Sequence, residues 1–155
     1  MSKFFKTADD IKELAESVFK STGLESYGIK LKVMSTVKGS TVVKVSRASA
    51  VTEYLTREED IIQLIIYESA FDRLNDEEKK MILEGAFSNV MYDSEKDKLN
   101  VDSSQYGEVI NMRKKYGEKY MDLIESSLIL IEQIEEEKKE QKAAEKAAKK
   151  ASKNK

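Results

Sequence analysis

The chain contains no histidine, no cysteine, no tryptophan and no proline. The first two absences remove His- and Cys-liganded zinc, Ser-His-Asp and Cys-His nucleophile systems, disulfide frameworks and haem attachment. Any reaction would have to run on carboxylates, lysines, hydroxyls or a borrowed cofactor, and no cofactor is expected. Glycine is scarce as well. The six glycines are scattered, and Gly39-Ser40-Thr41 lacks the frame of a phosphate-binding loop, which argues against nucleotide hydrolysis. No run approaches the roughly 20 apolar residues of a membrane span, and Met1-Ser2-Lys3 leads into no signal-peptide core. These features predict a soluble protein that is not secreted and does not engage a membrane.

What is present is charge. Of 155 residues, 36% are charged and 40% apolar, enough for one ordinary domain with a sizeable core. The net charge of −2 hides an asymmetry: from Lys138 to Lys155, eight Lys against two Glu give +6, so the preceding residues carry −8. An acidic body is followed by a basic appendage.

Hydrophobic spacing predicts the elements of that body. Thr7 followed by Asp10 reads as a capping box, and Ile11, Leu14, Ala15, Val18 and Phe19 keep helical spacing toward Gly23. Ile29, Leu31 and Val33 alternate with lysines as in a half-buried strand. A second run, Thr41 to Val45, follows as a candidate neighbour. Ile61 to Tyr67 is apolar on both faces, as in a strand covered on both sides. Asn75 with Glu78 caps a helix bearing Met81, Ile82, Phe87, Val90 and Met91, in which Gly85 costs about 1 kcal/mol relative to Ala. A polar stretch from Asp93 to Asn100 precedes a helix capped by Asp102 or Ser103 and reaching Tyr116-Gly117. A final helix carries Tyr120, Leu123, Ile124, Leu128, Ile131 and Ile134. The expected architecture is α+β: a small mixed sheet of three or four strands packed by helices, with a long C-terminal helix. Residues 1–134 form the domain, and 135–155 form a solvated tail of Lys, Glu and Ala.

This order of elements resembles the phage metallopeptidase family, a small zincin-like group. The resemblance rests on Ile62 to Tyr67, on Phe71-Asp72-Arg73-Leu74-Asn75-Asp76-Glu77-Glu78, on Ile82 to Val90 in the place of the metal helix, and on Arg113-Lys114-Lys115-Tyr116-Gly117. It spans roughly residues 5 to 120 and implies a zincin-like scaffold. A zinc protease needs two imidazoles one helical turn apart and a carboxylate to activate the metal-bound water. The matching positions are Gly85 and Asn89 for the imidazoles and Ala86 for the base, and no His is available around Asp102 to Ser104 for a third ligand. The resemblance therefore implies a scaffold without zinc and without the reaction: a protein-binding phage component, in the host cytoplasm or the virion. A plainer reading stands beside it, in which Gly85 and Ala86 are small because the helix packs closely there.

Other candidate sites are weaker. Asp93, Glu95, Asp97 and Asp102 are oxygen donors, but Lys98 and Ser104 stand where a Ca²⁺ loop needs Gly and Glu. Carboxylate or Lys chemistry in a cleft is an enzymatic alternative with no sequence pattern to select its residues. Leu128, Ile129 and Leu130 point around the final helix, and with Ile131 they cannot all face one core, which marks a surface for a phage or host protein or for self-association. Lys146, Lys149, Lys150, Lys153 and Lys155 are candidates for weak, salt-dependent contact with nucleic acid.

Overall fold

The computed structural model describes residues 3–102 and 105–153. Its organising element is β4 (Ile61–Tyr67), in which Ile61, Ile62, Leu64 and Ile66 are fully buried. A strand apolar on both faces must be flanked at both edges and covered above and below. β2 (Lys30–Thr36) runs parallel to it on one side, Lys30 opposite Ile61 and Thr36 opposite Tyr67, and β3 (Val43–Arg47) runs antiparallel on the other. The short β1 (Phe4–Phe5) completes the order β1-β2-β4-β3. The α+β class, the small mixed sheet and the long C-terminal helix agree with the sequence reading. β2 and β3 do not pair. β4 lies between them, because a strand apolar on both faces is buried most completely with a neighbour at each edge.

Helix α1 (Asp9–Ser21) buries Ile11, Ala15, Val18 and Phe19, and Phe19 meets Phe87 with ring centroids 5.5 Å apart. Thr7 does not cap it. The cap position is Ala8, which has no side-chain bond to the helix, while Thr7 is buried with its hydroxyl 2.9 Å from that of Ser35. The amide of Ala8 donates instead to Glu68 Oε1 at 2.9 Å, and the Ser35 hydroxyl lies 2.8 Å from the same oxygen. A buried hydroxyl needs a partner inside, and this polar knot supplies it. Ser49 opens α2 (Ala50–Thr56), which the sequence reading missed, and α3 (Glu68–Phe71) follows β4 directly.

Asn75 and Glu78 close the expected capping box at the start of α4 (Asp76–Phe87), with bonds of 2.8 and 3.0 Å. The helix stops earlier than its apolar spacing suggested. Ser88 Oγ donates to Gly85 O at 2.6 Å and tightens the last turn, so Val90 and Met91 belong to β5 (Val90–Asp93), paired with β6 (Lys98–Val101). The polar stretch is thus a hairpin. Asp93 Oδ1 accepts from the amide of Glu95 at 3.0 Å and from that of Lys96 at 3.3 Å, so this oxygen serves the turn itself. Helix α5 (Gln105–Tyr116) ends at Gly117, whose φ of +66° suits glycine. The Ser103 cap lies outside the described residues. Helix α6 runs unbroken over Glu118–Lys153.

Candidate functional site

Of the positions matched to a metal helix, Gly85 and Ala86 are buried in the last turn of α4, and Asn89 lies just beyond its end. Gly85 has a definite reason to be glycine. A Cβ there would meet the Tyr120 hydroxyl and lie 2.9 Å from its Cζ and 3.0 Å from Glu108 Oε1. Tyr120, from α6, is fully buried, and its hydroxyl donates to Glu108 Oε1 on α5. The other oxygen of Glu108 accepts from Asn89 Nδ2 at 2.9 Å. Glu108 therefore lies against both Gly85 and Asn89, and with Tyr120 it fills the space beside Gly85. Burial, then the hydrogen bond to Glu108 and its charge, push the Tyr120 hydroxyl far above the ordinary phenol range, so it stays a protonated donor.

These groups do not fit zinc. The three positions supply a hydrogen, a methyl and an amide, and both oxygens of the nearest carboxylate are engaged. Among the described residues, no group of three His, Cys, Asp or Glu is placed to hold a metal ion. Asp102 lies beside the cluster, its amide donating to Asn89 O at 2.8 Å, while Ser103 and Ser104 are outside the described residues.

In front of the cluster opens a cleft of about 500 Å³, walled by Ser40, Thr41 and residues 43–47 on one side and by Ala86, Asn89, Val101, Asp102 and Glu108 on the other. β3 is the sheet's edge strand. Ala48 N donates to Ile61 O at 2.9 Å and Tyr67 N to Val42 O at 2.8 Å, so even-numbered residues bond to β4. The amides and carbonyls of Val43, Val45 and Arg47 consequently point to the open edge. Thr41 Oγ1 donates to Val43 O at 2.9 Å, and Arg47 Nη1 donates to Leu99 O at 2.9 Å, tying the strand's far end to β6. Val45, between these ties, presents its amide and carbonyl to the cleft. A smaller cavity of about 100 Å³ continues from Glu108 toward Ile82, Ile124 and Leu128.

A second ionisable cluster lies on another face of α4, where Glu84 Oε2 accepts from Lys115 Nζ at 2.8 Å and from the Tyr116 hydroxyl at 2.6 Å. Burial opposes ionisation of Glu84, but the bonds from Lys115 and Tyr116 outweigh it and lower its pKa. The bond to Glu84 raises that of Lys115. Both move away from neutrality, the reverse of what acid–base catalysis asks.

Of the remaining expected site residues, Leu128 and Ile129 are exposed at 45% and 55%, whereas Leu130 packs partly against the core and Ile131 is buried. Lys146, Lys149, Lys150 and Lys153 are exposed on α6, and Lys155 lies outside the described residues. More exposed than the large apolar residues of α6 are Val51, Tyr54 and Leu55 on α2, at 67%, 83% and 73%. The sequence reading passed over them, although the Ser49 cap and its bond from Thr52 N were legible in the Ser-x-x-Thr spacing. Among the described residues, no helix is long and apolar enough to cross a membrane. No protein-family model, curated protein or solved structure matches the chain.

Proposed function

We propose that the protein is a catalytically inactive, metallopeptidase-like phage protein that binds an extended segment of another protein along the free edge of β3. The observation that carries this reading is the cleft itself. One wall is a strand edge with an outward amide and carbonyl at Val45, and the floor at Gly85 and Asn89 is filled by Tyr120 and Glu108 instead of a reacting group. An added strand gains affinity from main-chain hydrogen bonds and specificity from pockets for alternate side chains. The cavity reaching toward Ile82 and Leu128 is such a pocket. The host cytoplasm or the virion is the compartment this reading implies. Leu128, which lines that smaller cavity, extends the contact surface.

The test uses a photo-cross-linking residue at Lys44, which is exposed on β3, and a control at Lys12 on the remote α1, both in infected cells. A discrete protein adduct at Lys44, absent from Lys12 and abolished by Val45→Pro, is expected, because proline removes the outward amide without touching the ladder to β4. Adducts that survive Val45→Pro would overturn the edge-strand reading. Stoichiometric zinc together with chelator-sensitive proteolysis would overturn the inactive one.

A further inference from the structure

The exposed end of α6 segregates its charge by helical position. At about 100° per residue, every lysine from Lys138 to Lys153 falls within one arc of about 120°, and no other residue type between them falls in that arc. Ala144, Ala147, Ala148 and Ala151 occupy the opposite side with Glu140, while Ala143 and Glu145 border the lysine stripe on either side. The stripe's direction is set by the body. Arg73 holds Glu137 through two bonds, of 3.3 and 2.7 Å. Lys138 Nζ donates to Val37 O at 2.6 Å and to the Tyr67 hydroxyl at 3.0 Å. Lys142, Lys149 and Lys153 then continue, facing solvent, the seam that Tyr120, Ile131 and Ile134 bury.

We propose that this stripe binds the phosphate backbone of a double-stranded nucleic acid without reading its sequence. The six lysines beyond the clamp, Lys139 to Lys153, span about 21 Å at 1.5 Å per residue, roughly one charge per 4 Å. That density is close to the roughly 3.4 Å per phosphate along one strand of a duplex. A membrane-surface helix needs large apolar side chains beside its basic face, and none larger than Ala occurs between Ile134 and Lys153. Single strands are held by stacking, and no aromatic follows Tyr120. The residues before Lys138 carry −8, which repels a polyanion. The helix offsets this by carrying its charge outward: at 1.5 Å per residue Lys149, Lys150 and Lys153 lie about 16–23 Å beyond Lys138, two Debye lengths of about 8 Å or more at physiological salt.

The experiment measures fluorescence anisotropy of random-sequence 30-base-pair DNA and RNA duplexes with the full chain from 50 to 200 mM salt. Weak binding is expected, with log affinity falling against log salt at a slope of about −4 to −5. A variant with Lys142, Lys146, Lys149 and Lys153 changed to Gln should lose at least tenfold in affinity at 50 mM salt. A second variant, with residues 139–153 permuted so that the same lysines surround the helix, should lose several-fold while keeping its helical circular dichroism and the body's melting temperature. Val45→Pro should change nothing here, so this proposal stands or falls apart from the cleft. Absence of duplex binding at 50 mM salt, equal binding by the permuted variant, or tighter binding to phosphatidylserine vesicles would overturn it.

Discussion

Up to Lys138, α6 buries Tyr120, Leu123, Ser127, Ile131 and Ile134 against the body, while from Lys139 to Lys153 every residue is exposed and the backbone remains helical. The two halves show two ways to hold a helix. The first half is held by packing. The second would be marginal alone, since an isolated helix of this length must meet the cost of its first turn. Here the docked half supplies that turn, and Ala, Lys, Glu and Gln extend it by their intrinsic preference. The same backbone therefore carries a seam that cannot change and a surface that can.

The comparison is sharpest at Ile131 and Ile129, two residues apart. Ile131→Ala, 5% exposed, should cost about 2–4 kcal/mol in urea unfolding through cavity formation, and Ile129→Ala, 55% exposed, less than about 0.5. Equal costs would mean that Ile129 is covered in solution, by a second copy for instance. Next in size, Gly85→Ala should cost about 1–3 kcal/mol, because the overpacking against Tyr120 and Glu108 exceeds the gain of about 1 kcal/mol in helix propensity. The penalty should shrink in a Tyr120→Phe background, which removes the hydroxyl. A smaller effect belongs to Glu84. Its folded pKa is below the ordinary 4.5, so its contribution is complete above that value and lost as pH falls through the lowered one. Glu84→Gln should thus be less stable than the parent by about 1–2 kcal/mol at pH 6, with the gap closing as pH falls below 4.5 and through the lowered value. Arg73→Ala removes an exposed pair with Glu137 and should shift the urea midpoint only slightly, because solvent screens the pair. Least of all, Ala147→Pro should lower the helical signal and leave the urea midpoint of the body unchanged.

Much of the fold was legible because its signals are local. The double-faced apolar run of β4, the Asn75–Glu78 box and the stripe of α6 each lie within a few residues of chain. Thr7 misleads because its hydroxyl answers to Ser35, 28 residues away, and the cap position falls on Ala8. β5 was read as helix because Val90 and Met91 match the spacing of α4, and only the turn at Ser88 separates them. At the candidate site, residues 85, 86 and 89 could be named in advance. Glu108 and Tyr120 could not, since nothing near them in sequence points to α4.

The residues alone determined that no imidazole or thiolate chemistry is possible, that the body is acidic and its appendage basic, and that the lysines after Lys138 keep helical spacing. These follow from composition and from a period of about 3.6, which need no partner to exist. The tertiary structure decided that β4 separates β2 from β3, that the edge of β3 opens into a cleft, and that Tyr120 takes the space a side chain at Gly85 would need. Those are contacts between segments far apart in the chain, set by which surfaces can be buried together, and no single segment holds that information.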